Sequence, residues 1–386
     1  MTSVAIKGWC PSAHRPMHSG DGLVARIRPR GGRLSSAQAV AIADLAERYG
    51  NRLIDLTGRA NLQIRGLCAE AHAPLLATLA QFGLIDADAE IESQRNMLVT
   101  PFWTDGDDTQ WLAVQLERAL SVGCLGLPAK FGFAVDCGDE RVLAPSSADI
   151  RIECSADGGL MVRADGCPAG HPVARQQAVP AALSLAKWFL ASGGASGGRG
   201  RMAAHIGNGA RPPHMLAGAS PASAARPPRP GLCAGGALVG LAFGQLLSTT
   251  LRFLAERAVG LRMTPWRMIF AEGLSEMPEH DGIVSDADDP LLRVSACTGA
   301  PSCQATHAET RTLAAALAPH MPAQAHLHIS GCTKGCAHPG AAAVTLVANV
   351  DGFDLICDGS TRDAPARRGL TRAQILADPR ALLGIG

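Results

Sequence analysis

A chain of 386 residues has room for more than one domain with its own core. Its formal net charge of +1 carries no global signal for nucleic acid or for an anionic membrane surface. No apolar run reaches the length of a bilayer span, and Met1–Cys10 holds no apolar leader segment. The expectation is therefore a soluble cytoplasmic protein whose 12 cysteines are reduced thiols.

In chain order, Asp21-Gly22 is a turn signal ahead of an extended run over 23–28, where Arg26 and Arg28 share a face. Leu34-Ser35-Ser36 then precedes Val40, Ile42, Leu45, Ala46 and Tyr49 at helical spacing, with serine as cap and Gly50 as stop. A strand is expected over 57–65. Alternation places Arg59, Asn61, Gln63 and Arg65 on one of its faces and Leu62 and Ile64 on the other. Arg95-Asn96 opens an apolar run that ends at Pro101, and Lys130 precedes an extended segment through Val135. Only four of the 35 basic residues are lysines (Lys7, Lys130, Lys187 and Lys334), so each is a candidate for a task that arginine does not fill. Runs at 150–152 and 160–162 flank Asp157-Gly158, a hairpin signal, and a helix is expected around 181–190.

Residues 191–231 are rich in Gly, Ala, Pro, Ser and Arg, with Arg-Pro-Pro twice. This composition reads as a flexible linker without a packed core. Beyond it the pattern repeats. A helix opens at Leu247-Ser248 and closes at Leu254-Ala255-Glu256-Arg257, as the first closes at Leu45-Ala46-Glu47-Arg48. A threonine-led strand is expected over 264–270, a hairpin flanks Asp351-Gly352, and a helix spans 372–383. The chain reads as an internal duplication of α+β class. The copies have diverged: where the first presents a basic face, the second offers Trp266, Met268 and Phe270.

Four cysteines of the second copy carry the strongest chemistry. Cys297 and Cys303 form C-x5-C, and Cys332 and Cys336 form C-x3-C. Four thiolates converging on a [4Fe–4S] cluster need small, flexible residues between them, which Thr298-Gly299-Ala300 and Lys334-Gly335 supply. Zinc, which favours tighter C-x2-C pairs, and four unrelated buried thiols are the competing readings. Cys10, Cys68, Cys124, Cys137, Cys154, Cys167, Cys233 and Cys357 lack ligand spacing and read as structural. Arg59, Asn61, Gln63, Arg65, Arg95, Asn96 and Lys130 form a donor set suited to a ligand with several carboxylates; a solvated strand face is the plain alternative.

Thr57-x-Arg59-x-Asn61-x-Gln63, Arg95-Asn96, Leu127-Pro128-x-Lys130-Phe131, C-x5-C and C-x3-C, in this order, resemble the nitrite and sulfite reductase family. The resemblance implies two ferredoxin-like half-domains and two α/β units of the cluster-binding type, related by pseudo-twofold symmetry. Its boundaries here are 1–85 and 86–190 before the linker 191–231, then 232–284 and a cluster-binding unit over 285–386. In the reductases a second lysine stands two positions after the first, with one residue between; here that position is Gly132, which argues against a bound sulfite-sized anion.

Gly20-Asp21-Gly22-Leu23-Val24, Thr264-Pro265-Trp266-Arg267 and His328-Ile329-Ser330-Gly331-Cys332 through Gly340 are similar to the precorrin-3B synthase branch of that family. This implies oxygen-dependent hydroxylation of precorrin-3A with γ-lactone formation in cobalamin synthesis. It also implies a [4Fe–4S] cluster, a mononuclear non-haem iron, no sirohaem, and NADH electrons delivered by a separate reductase. His14, His18, Asp21, His328 and His338 are the candidates for the second iron, with His338 the foremost because it adjoins the cluster loop. A sirohaem nitrite or sulfite reductase and a non-catalytic iron–sulfur electron carrier are the alternatives.

Overall fold

The computed structural model describes residues 11–213, 218–306 and 308–382. Cys10 and the last residues of the helix expected over 372–383 lie outside the described residues. The first half runs β1 (Met17–Ser19), β2 (Gly22–Ile27), β3 (Arg33–Ser35), α1 (Ser36–Tyr49), β4 (Leu53–Leu56) and β5 (Leu62–Leu67). It continues with α2 (His72–Gln81), α3 (Ala89–Gln94), β6 (Met97–Val99), α4 (Asp108–Ser121), β7 (Phe133–Asp136), β8 (Ile150–Cys154), β9 (Leu160–Ala164), β10 (His171–Pro172) and α5 (Arg175–Ala191). After α6 (Met202–Gly207) the second half runs β11 (Gly231–Cys233), β12 (Gly236–Leu241), β13 (Gln245–Leu247), α7 (Ser248–Arg257), β14 (Gly260–Met263), β15 (Met268–Glu272) and β16 (Ile283–Val284). Then follow β17 (Val294–Ala296), α8 (Arg311–Leu317), β18 (Leu327–Ser330), β19 (Ala342–Asn349), β20 (Gly352–Gly359), β21 (Arg367–Leu370), α9 (Arg372–Ala377) and α10 (Pro379–Leu382).

The first helix starts where its chemistry dictates. Ser35 accepts from the Gln38 amide at 3.2 Å while the Gln38 side chain accepts from the Ser35 amide at 2.9 Å, a reciprocal cap. The two half-domain sheets have the orders β1-β2-β5-β4-β13 and β11-β12-β15-β14-β3, with β16 beside β12. These orders match strand for strand, and each sheet takes one strand from the other half. Leu246 of β13 faces Ile54 of β4, and Leu34 of β3 faces Leu261 of β14. Helices α1 and α7 contribute Ile42, Leu45, Leu251 and Leu254 to one core shared with Ile64 and Ile269 of the two sheets.

The α/β units repeat as well. β6-β7-β8 and β17-β18-β19 are parallel triplets, each extended by two antiparallel strands (β9 and β10, then β20 and β21). Each unit has its own core, around Phe131, Phe133 and Phe189 in the first and around Leu313, Leu317 and Ile329 in the second. The duplicated fold read from the sequence is the fold observed.

Three local expectations differ. The strand expected over 57–65 begins only at Leu62, because Thr57 folds the chain into a turn. Its hydroxyl accepts from the Arg59 amide at 3.3 Å, and Ala60 adopts a φ of 54°. The second copy does the same: Thr264 Oγ1 accepts from Trp266 at 3.3 Å, and Arg267 has a φ of 61°. A threonine side chain that satisfies a nearby amide competes with the sheet ladder. Arg59 is therefore in a turn rather than on the face of Gln63 and Arg65.

The segment 191–231 is not a free tether. Arg201 pairs with buried Asp149 at 2.9 Å, Met202 and Ile206 enter the first α/β core, and Ser223 accepts from the Arg141 amide at 2.9 Å. Apolar anchors spaced through a small-residue stretch suffice to dock it. Finally, the helix over 372–383 breaks at Asp378, which Pro379 keeps from continuing α9.

Candidate functional site

Cys297 directly follows β17 and Cys332 lies two residues beyond β18. These strands are parallel neighbours, so both cysteine loops leave the same carboxyl edge of the sheet. Open α/β sheets place ligands at this edge. The loops curl through Gly299 and Gly335, with φ of 69° and 62°, a left-handed conformation that strains other residues. Thr310 Oγ1 donates to the Cys297 carbonyl at 2.6 Å, and the Gly331 amide donates to Cys297 Sγ at 3.1 Å.

Cys297, Cys303 and Cys332 are half-buried and Cys336 is exposed. Crowding by the surrounding protein pushes the Cys336 thiol above its usual range. Cys332, Cys297 and Cys303 add to the effect and Lys334 opposes it. Among the described residues, no set of three or more His, Cys, Asp or Glu groups stands in the geometry of a metal site. Thiolates at the corners of an iron–sulfur cube stand farther apart than the ligands of one ion, and binding itself completes such sites. The donor set, the glycine-turned loops and the amide aimed at Cys297 fit that cube.

The polar face of the first half-domain meets these loops. Across its sheet, Arg26, Gln63, Asp55 and Gln245 stand in register on β2, β5, β4 and β13. Arg65, two residues from Gln63, is buried on the same face. Its Nε and Nη2 donate to Asp21 at 3.0 and 2.9 Å, and its Nη1 donates to Asp55 at 3.3 Å. Its Nη2 also reaches the Ser302 carbonyl, next to Cys303, at 3.1 Å. Arg311, at the start of α8, donates to the other oxygen of Asp55 at 3.0 Å.

The sequence-derived donors differ in their surroundings. Arg59 and Gln63 are half-buried, Lys130 is exposed, and Asn61 is buried with no hydrogen-bond partner for its Nδ2. Arg65, Arg95 and Asn96, expected to face a ligand, are instead engaged within the protein. Arg95 is 3 % exposed and donates to Asp86 at 2.8 Å and to the Arg28 carbonyl at 2.9 Å. Asn96 Nδ2 donates to the carbonyls of Ala129 and Phe131, at 3.5 and 3.2 Å, and so brackets Lys130 from within. A buried guanidinium needs carboxylates of its own, and these sit on segments that strand alternation does not reveal. Gly132 also has a packing reason: a Cβ there would lie 2.9 Å from the Asn96 carbonyl oxygen, so any side chain at this position requires the backbone to shift.

Among the iron candidates, His14 lies 2.7 Å from the Asp86 carbonyl. His338 joins two other imidazoles, with ring centroids 4.7 Å from His326 and 5.7 Å from His328. His338 Nε2 lies 3.0 Å from the Ala341 carbonyl and His326 Nε2 lies 2.9 Å from Ser295 Oγ. His328 is fully buried and neither ring nitrogen has a partner. Burial, then the neighbouring imidazoles, holds His326 and His328 down at about 4. The sequence reading missed His326; His-Leu-His on a strand, which puts both rings on one face, was the available signal.

In the first α/β unit the segment expected to be a linker runs past the carboxyl end of β8: the Ala222 amide donates to the Cys154 carbonyl and the Ser220 carbonyl accepts from the Ala156 amide, at 2.9 and 2.8 Å.

Residues 15–82 match the family model of the nitrite/sulfite reductase ferredoxin-like half domain. A precorrin-3B synthase of Sinorhizobium sp is 30% identical over 93% of this chain and 84% of its own. A ferredoxin–nitrite reductase of Synechococcus elongatus is 29% identical over 40% of this chain and 32% of its own. The solved structure of Mycobacterium tuberculosis NirA superposes with a TM-score of 0.64 at 16% identity, covering 92% of this chain and 79% of that one, which shows a shared fold. With matching half-domain, cysteine loops and near full-length similarity, the chain belongs to the nitrite/sulfite reductase-like family, in its precorrin-3B synthase branch.

Proposed function

We propose that this oxidoreductase-type enzyme hydroxylates precorrin-3A with dioxygen and closes a γ-lactone, giving precorrin-3B. One oxygen atom enters the product, the other leaves as water, and two electrons come from NADH through a separate reductase. The observation that carries the reading is the meeting of two cysteine loops with a polar sheet face in one family frame. Cys297, Cys303, Cys332 and Cys336 would hold a [4Fe–4S] cluster, which supplies electrons when bound. Arg59, Asn61, Gln63 and Lys130 would receive the carboxylates of a reduced tetrapyrrole; Asn96 would fix the Lys130 turn. His338, within its group of imidazoles, is the proposed contact for the mononuclear iron. The closed position at Gly132 weighs against the sirohaem reductase alternative.

The test is anaerobic reconstitution with iron and sulfide, then incubation with precorrin-3A, reductant and oxygen, following product mass. The expected result is a gain of one oxygen atom in wild type. Cys297→Ser should lose both the cluster and the product. Lys130→Ala should keep the cluster and bind substrate more weakly, roughly tenfold if the contact is desolvated. Soret and red absorption bands in the purified protein, with reduction of nitrite or sulfite, would overturn the reading.

A further inference from the structure

Ser302, one residue before Cys303, receives three donors on its carbonyl oxygen. The Gly20 amide is 3.0 Å away, Ser19 Oγ 2.5 Å and Arg65 Nη2 3.1 Å. All three come from the opposite half of the chain, two of them from the turn between β1 and β2. The approach is tight: a Cβ on Gly20 would stand 2.2 Å from the Pro301 carbonyl oxygen. Gln304 Nε2 reaches back to the Ser19 carbonyl at 3.4 Å, so the loop is held from both sides of Cys303. Arg65 is itself locked by the two oxygens of Asp21 and by Asp55.

We infer that Arg65, Asp21 and the 19–20 turn form a clasp that positions the Cys297–Cys303 loop, so that the N-terminal hairpin governs retention and electronic character of the group those cysteines hold. This rests on the cluster reading above. The geometry makes Arg65 a positioning residue and not a contact for substrate. An oxygen acceptor bonded three times over cannot shift without losing those bonds, one of them from a guanidinium that two carboxylates hold in place. Fixing Ser302 fixes the backbone entering Cys303, and outer contacts of this kind orient metal ligands.

The experiment compares wild type with Gly20→Ala, Ser19→Ala, Arg65→Lys and Arg65→Gln, each reconstituted anaerobically. Iron and acid-labile sulfide are followed after exposure to a chelator, and the reduced protein is examined by electron paramagnetic resonance and redox titration. Gly20→Ala and Arg65→Gln should lose iron roughly tenfold faster, with an altered reduced spectrum and midpoint potential. Arg65→Lys, which keeps the charge but not the fork, should fall between them and wild type. Arg175→Gln, which breaks a partly exposed ion pair with Asp108 in the other α/β unit, should leave all readouts unchanged. If Arg65→Gln does not fold, Ser19→Ala removes a single donor and still decides. A loaded wild type whose variants keep its lifetime, spectrum and potential would overturn the clasp alone; a wild type that takes up no cluster would overturn the proposed function with it.

Discussion

At the scale of single residues, side chains with similar sequence signals have different fates. Lys130 stands exposed on a turn, whereas Arg95 is sealed among Asp86 and Glu117. Gly132 shows the reverse, an unremarkable residue with a strict requirement. Gly132→Ala should destabilise the protein by about 1–3 kcal/mol, because its Cβ meets a backbone oxygen that cannot swing away. A melting temperature equal to wild type would show that the Asn96 backbone yields. Cysteine spacing was legible in the sequence because each cysteine loop is local. The fate of each arginine was not, since it depends on partners such as Glu117 and Ser302 that only tertiary packing supplies.

At the scale of elements, the pattern was read well where caps and hairpin turns are chemical, as at Ser35 and Gly158, and misread, by five residues at Thr57 and four at Thr264, where a threonine turn imitates a strand. The same misreading at Thr57 and Thr264 shows that the turn was duplicated with the rest. The segment 191–231 was misread because composition does not report a few apolar anchors. Deleting 195–228 should abolish soluble expression, since it removes Met202, Ile206 and the partner of buried Asp149; a soluble product with an unchanged melting curve would contradict the docking. Strand β7 ends in Asp136, whose buried carboxyl is pushed up to about 6, mainly by burial, against an ordinary 3.8. A carboxyl with a raised folded value contributes stability that is full below about 4 and lost as pH rises through about 6. Asp136→Asn should therefore gain stability over wild type as pH rises between those values, on the order of 3 kcal/mol. Parallel pH profiles of urea unfolding would rule that out.

At the scale of the whole molecule, duplication was visible in sequence but the exchange of β3 and β13 was not, because a three-residue strand carries no mark of which sheet it joins. The exchange predicts that residues 1–213 or 218–386 expressed alone are insoluble, while coexpression yields a soluble pair; a monomeric, cooperatively melting half would refute it. It also constrains descent. A protein of one half would bare β4 and β14-type edges, and bare edges recruit strands. Such a protein could have been orderly only as a twofold pair of identical chains, each lending its short strand to its twin. In one chain each copy can diverge by itself: the second keeps its cysteine loops at the carboxyl edge of its sheet, while past the end of β8 in the first runs the peptide that joins the two.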